Sequence, residues 1–236
     1  MALSSKEGIK NLLGQIPFTA ELYWLVRQRG KPIQSRFSLR HLQNAMPDLV
    51  AQAAALRQNA PAGKNVFIFA TLHYWIEHAA LLGLALASQG HKVTLGFLPY
   101  AEWQSPINRF DLRRQNYYAR KVLEAAAPVM ESVSLLNMRT NYKPMGEGMR
   151  DLVERVTVFD TQYTLQVEDV DPESEVYKLR WERNVEAARA AQAWLSANRP
   201  DVVIVPNGTI QELGVVYRVA RAMKIPAVTY EFGDQR

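Results

Sequence analysis

Three short segments of this chain bring reactive side chains within reach of a single turn. The first, Ala70-Thr-Leu-His-Tyr-Trp-Ile-Glu-His78, holds two imidazoles and a carboxylate and contains no glycine. An imidazole such as His73 titrates near neutrality and suits a general base. Thr71 and His78 beside it are candidate contacts for a polar substrate. His73 also reads plainly as a helix cap or a packing residue. His73 and Glu77 are four apart and share a helix face, whereas His73 and His78, five apart, diverge by roughly 140° at 3.6 residues per turn. The HExxH arrangement is not formed, and no metal is expected.

The second segment is Val205-Pro-Asn-Gly-Thr-Ile-Gln211. Asn207-Gly208 permits a tight turn with positive φ, and Thr209 is placed to cap the next helix, with Glu212 completing a capping box. Amides left open there would favour an anion or a sugar hydroxyl. The same residues are equally complete as turn chemistry alone. The third segment, Tyr230-Glu-Phe-Gly-Asp-Gln-Arg236, succeeds an apolar run. Its Glu231 can hold hydroxyls, orient a histidine or act as a base, and it can as simply be a loop acid.

Several chemistries are absent. There is no glycine-rich dinucleotide turn after a strand and no GxxxxGK[ST] phosphate loop. Cysteine is missing altogether, which removes disulfides, thiolate metal ligands and thiol nucleophiles. The composition, 48% hydrophobic and 22% charged, is that of a globular chain and not of a disordered one. The longest apolar stretch, Ala79–Ser88, is about half the ~20 residues a membrane span needs. No secretory pattern is visible in the first residues, so a cytoplasmic protein is expected.

Charge is unevenly spread. Residues 1–121 carry 15 Lys and Arg against 6 Asp and Glu, while the remainder carries 13 against 17. The basic half has two concentrations. Arg27, Arg29, Lys31, Arg36 and Arg40 lie near Tyr23, Trp24 and Phe37, and Arg109, Arg113, Arg114, Arg120 and Lys121 are interleaved with Phe110, Tyr117 and Tyr118. Cations beside aromatic rings suit an anionic membrane surface, with the rings at headgroup level. Single-stranded nucleic acid would offer similar chemistry, but no nucleic-acid module signature accompanies it. Solvated helix faces with inward-packed rings are the structural alternative.

Hydrophobic period predicts the scaffold that holds these groups. Residues 1–60 show helical spacing (Leu12, Leu13, Ile16; Leu22, Leu25, Val26; Leu39, Leu42, Ala45, Met46), with a further helix over Leu49–Asn59 after Pro47. This reads as a helical extension packed on the rest of the chain. Val66–Phe69 is a strand buried on both faces, Trp75–Gln89 a helix stopped by Gly90, and His91–Leu98 a second strand, which is one βαβ unit. A helix over about 111–127 precedes the apolar run Val133–Leu136, and 146–167 is a partly helical insertion. Asp171 caps a helix to about Ala197 whose buried stripe is Val176, Leu179, Ala187, Ala190 and Trp194. Pro200–Val205 and Ile225–Tyr230 are strands around a helix marked by Leu213, Val216, Ala220 and Met223. The expected fold is α/β, a doubly wound, mostly parallel Rossmann-like sheet of about five strands over 61–236, carrying the N-terminal helical extension. Ligands of such sheets bind beyond the carboxyl ends of the strands, where all three segments fall.

The run P-D-V-V-I-V-P-N-G-T, then A-R-A-M-K-I-P and V-T-Y-E-F-G, with the strand–turn–helix at Val66–Gln89, resembles the N-terminal half of a GT-B glycosyltransferase. The nearest look is to the bacterial surface and capsular polysaccharide transferases. The architecture is similar over about 60–236 and the motifs over the last ~35 residues. The resemblance implies an acceptor-binding domain whose donor-binding partner domain is not in this sequence. It implies no cofactor, only a nucleotide sugar as donor co-substrate, held mainly by that second domain. His73 and Glu231 would then be the catalytic candidates, with Thr71, His78, Asn207, Gly208 and Thr209 binding substrate. Arg109, Arg113, Arg114, Arg120 and Lys121 would meet the membrane bearing a lipid-linked acceptor, at its inner face. Two other readings stay open: a self-contained α/β protein binding an anionic metabolite, and an interaction module docking on a membrane.

Overall fold

In the computed structural model the structure describes residues 5–29, 36–136, 138 and 145–231. Five strands, β1 (Asn65–Thr71), β2 (Lys92–Leu98), β3 (Glu131–Ser134), β4 (Val202–Pro206) and β5 (Ala227–Tyr230), form one sheet in the order β3-β2-β1-β4-β5. Every pairing is parallel. The chain winds outward from β1 through β2 to β3, then returns to the other side of β1. The crevice where winding reverses therefore lies between the carboxyl ends of β1 and β4. The sheet is the doubly wound, Rossmann-like one that the sequence pattern predicts.

Helices cover both faces. On one side α3 (Arg40–Arg57), α4 (His73–Ser88) and α5 (Arg109–Glu124) pack on Val66, Ile68, Val93 and Leu95. On the other, α6 (Glu147–Leu165), α7 (Glu175–Asn198) and α8 (Gln211–Ala222) close over Phe67, Phe69, Val203 and Val205. Alternate residues of β1 thus enter opposite cores, which is why that strand reads as a continuous apolar run. Gly90 ends the α4 turn at φ 92, and a Cβ there would collide with the Pro61 carbonyl. Covering stops at the last strand, where Val228 of β5 is 51% exposed.

Several boundaries differ from expectation. The α3 helix runs unbroken through Pro47, and α6 is one continuous helix where the sequence predicts only partial helix over 146–167. Helix α7 is capped by Ser174, whose hydroxyl accepts the Tyr177 N–H, while Asp171 instead accepts the Glu173 N–H in the preceding turn. The buried stripe of α7 is also rotated. Val176, Leu179 and Trp194 are only half-buried, and the inward line runs Tyr177, Arg180, Asn184, Ala187, Ala188, Ala191, Leu195.

The rotation places a guanidinium in the core. Arg180 is fully buried, donates to Asp160 of α6 and, at 3.1 Å, to Glu212 of α8, and reaches the Trp103 carbonyl at 3.0 Å. Three helices and the loop after β2 meet on this one side chain.

The first helices lean on α5. In α1 (Ser5–Gln15), Lys10 pairs with Asp111 at 2.7 Å. Arg113 pairs with Glu21 of α2 (Thr19–Leu22) at 2.6 Å and donates to the Gly14 and Ile16 carbonyls. A π-helical turn, Tyr23–Arg27, continues α2 and sets Trp24 edge-on to Tyr117 at 5.3 Å. Trp24, Phe37, Leu39, Leu42 and Met46 join the same core as β1 and β2, so the described part of the extension shares its core with the sheet.

Removing Arg180 strands two buried carboxylates. Arg180→Leu is expected to lower unfolding stability by about 3–5 kcal/mol, measured by urea denaturation. A loss below about 1 kcal/mol would show that the ion pairs contribute little.

Candidate crevice at the strand tips

Register brings the three sequence segments to one edge. Ile68 lies beside Ile204, and Pro206 beside Tyr230. Thr71 ends β1, and Asn207 and Glu231 directly follow β4 and β5, so the three lie at the carboxyl ends of three neighbouring strands. The Asn207 N–H donates to the Tyr230 carbonyl at 2.9 Å, which locks the second and third tips together.

The β1–α4 turn is bent sharply by Leu72, at φ 62 and ψ 145. A non-glycine residue in that region costs on the order of 1–3 kcal/mol, and Leu72 is held there by burial of its side chain. The bend turns His73 toward the segment that precedes α3, with its ring 6.5 Å from that of Phe37. Two polar atoms at this turn, His73 Nδ1 and Thr71 Oγ1, are buried without a hydrogen-bond partner among the described residues. Burial pushes the His73 pKa down, opposed in part by the Glu77 carboxylate. His73 is consequently a neutral imidazole at physiological pH.

Aromatic rings wall the crevice. His78 and Tyr230 stack with centroids 5.2 Å apart and are joined between Nδ1 and the phenol oxygen at 3.2 Å. Trp75 stands edge-on to Tyr230 at 6.1 Å. Burial raises Tyr230 to about 12 and lowers His78, so both rings are uncharged at neutral pH. Tyr74, 44% exposed, has its pKa raised first by burial, with a smaller push from nearby Tyr163 of α6.

The β4–α8 turn departs from the expected capping box. Residue 210, not Thr209, is the N-cap of α8, and no side chain caps it. The Thr209 N–H instead donates to Asn207 Oδ1 at 2.9 Å, an Asx turn. Asn207 itself adopts the positive φ, at 45°, while Gly208 serves close approach: a Cβ there would collide with Thr229 Cγ2 and press on the Tyr217 ring. Glu212 is buried on Arg180 rather than turned back to its own cap. The first turn of α8 is buried, and the nearby Gln211 amide favours the ionised form of the Asp160 carboxyl. An internal carboxylate thus lies close to this helix end.

The segments 71–78, 206–211 and 230–231 contain no lysine or arginine. Arg183 is buried, lies 4.4 Å over the Tyr100 ring and donates to the Glu102 and Ser105 carbonyls. Sequence reasoning missed Arg180, Asp160, Arg183 and Tyr100. Among the described residues no group of three His, Cys, Asp or Glu is placed to hold a metal ion.

The five cations proposed as a membrane face divide. Arg113 is committed to α1 and α2, and Arg114 pairs with Asp111 at 3.0 Å. Lys121 pairs with Glu124 at 2.8 Å, and with Arg120 it lines a groove of about 530 Å³ that also holds Glu124 and Glu131. Arg109 and Arg120 are exposed. Lys31 of the other basic stretch, and Phe232 and Gly233 of the last motif, lie outside the described residues. No protein-family model matches the chain, and no curated protein matches it.

Two titrations test these burials. By NMR, His73 is expected to titrate below 6.5, and Glu77→Gln to move it lower still, because the carboxylate that favours the imidazolium is gone. An upward move would contradict burial as the main cause. Burial also lifts Asp160 to about 6, against the pull of Arg180. Its folded pKa exceeds its unfolded one, so its contribution is complete below about 3.8 and lost as pH rises through about 6. From pH ~5 to ~7, wild type should lose roughly 1 kcal/mol relative to Asp160→Asn, and parallel stability curves would contradict this.

Proposed function

We propose that this chain is the acceptor-binding α/β domain of a GT-B-like glycosyltransferase, with a neutral saccharide as its ligand. One observation carries the reading. The strand-tip segments carry amide, imidazole and carboxylate groups beside the stacked His78 and Tyr230 rings and the edge-on Trp75 and, in their sequence, no cation. Sugar rings present C–H bonds to the electron-rich faces of aromatic rings and hydroxyls to short polar side chains. An anionic metabolite would need an unpaired arginine, lysine or open helix N-terminus here. The three segments hold neither lysine nor arginine, and Arg180 and Arg183 are turned into the core, so the saccharide is favoured over the metabolite.

In the reaction, a neutral His73 takes the proton of an acceptor hydroxyl as that oxygen attacks the anomeric carbon of the donor sugar. The bond from that carbon to the nucleotide diphosphate breaks, and the diphosphate leaves with the electron pair. Glu231 holds neighbouring hydroxyls. Gripping the diphosphate requires cations or a glycine-rich turn, which the crevice lacks, so donor binding falls to a second domain.

Saturation-transfer NMR on the 236-residue chain tests this. Neutral oligosaccharides should receive saturation, nucleotide sugars should receive it weakly, and the chain alone should transfer no sugar. Tyr230→Ala, checked for folding by circular dichroism, should weaken saccharide binding about tenfold, the equivalent of ~1.4 kcal/mol. Tight nucleotide binding, or no saccharide response, would overturn the reading.

A further inference from the structure

The N-terminal helices carry an apolar row on their outward side. Their protein-facing side mixes polar, small and aromatic groups: Lys10 and Glu21 are held by α5, Gly14 abuts the Phe110 backbone, and Trp24 enters the core. Their outward side is apolar. Ile9, Leu12 and Ile16 recur at helical spacing along α1, and Phe18, Leu22, Leu25 and Val26 continue through α2 and the π turn. All seven are 46–72% exposed, with Phe18 and Val26 at the upper limit. A water-facing helix normally shows the opposite pattern, and monomeric proteins rarely expose contiguous apolar patches of more than a few hundred Å².

We infer that this face docks on an anionic lipid bilayer, with the seven apolar side chains entering the acyl boundary. Two features select a bilayer. The face sets a row of exposed apolar side chains beside exposed arginines, the composition of an interfacial amphipathic segment. Its surroundings include Arg27, Arg29 and Arg109, all exposed and without an ion pair to any described residue. These cations complement lipid phosphates and would repel one another across a two-fold contact with a second copy. The surface differs from the α5 cluster that basic–aromatic interleaving suggests, where Arg113 is an internal strut. Because α5 starts beside the carboxyl ends of the strands, the docked face adjoins the end of the sheet that bears the crevice. The inference stands independently of what the crevice binds.

The chain has no cysteine, so a single introduced one can be labelled cleanly. Leu12→Cys carrying an environment-sensitive fluorophore should shift to the blue with mixed phosphatidylglycerol–phosphatidylcholine vesicles. Ser196→Cys, on exposed α7 surface, should not shift. Leu12→Ser/Val26→Ser, both at exposed positions, should keep the wild-type melting curve and float with these vesicles at least about tenfold more weakly. Arg27→Glu/Arg29→Glu should lose preference for anionic over pure phosphatidylcholine vesicles. An absent blue shift at position 12, an equal shift at position 196, or flotation unchanged in the serine variant would overturn the proposal. So would a sedimenting dimer that the serine variant dissolves, which would assign the face to a second copy.

Discussion

Arg180 is the point on which the second half of the molecule depends. Its guanidinium is withdrawn from water and compensated by Asp160, Glu212 and the Trp103 carbonyl. Each partner comes from a different element, so the crossing of α6, α7 and α8 and the path of the loop after β2 are fixed together. Glu212 stands in the first turn of α8, so the same network shapes that turn. A core assembled from apolar contacts alone would tolerate small rotations of these helices. A buried charge with directional partners tolerates them poorly.

That network has a bearing on the crevice. It holds Arg180 and Glu212 inside, away from the strand tips, whose three segments carry no cation. What remains is shape, aromatic surface and two polar atoms without a partner among the described residues, Thr71 Oγ1 and His73 Nδ1. Buried polar atoms without partners lose hydration without return, and a ligand or water that met them would recover it. The N-terminal helices meet another situation, where Trp24 enters the core, Lys10 and Glu21 pair with α5, and a row of apolar side chains is left outside.

The sheet was legible because its strands are short, apolar and punctuated. Val66–Phe69 and Val202–Val205 are β-branched and aromatic runs between Pro, Gly and Asp, and such runs fit few other structures. The candidate edge came from topology, since strand tips in a doubly wound sheet lie where ligands bind. Local patterns misled where tertiary contacts outweighed them. Thr209 and Glu212 have capping-box spacing, but Glu212 is drawn into the core by a residue 32 positions earlier. The phase of α7 was recoverable from its Ala-rich end: counting back from Leu195 through Ala191, Ala188 and Asn184 reaches Arg180. Periodicity read through Val176 and Leu179 tracks hydrophobicity and rejects an arginine at that place. The outward apolar face of α1 was visible as Leu12 and Ile16, yet period alone does not say which side of a helix meets the protein.

The backbone at Leu72 bears on selectivity. A turn kept in a costly conformation by surrounding side chains does not rearrange around each visitor, because any relaxation must also disturb the core that holds it. Recognition at such a place proceeds by matching a fixed mould. Molecules that fit lose little free energy to reshaping it, and near-misses are turned away by a wall that does not yield.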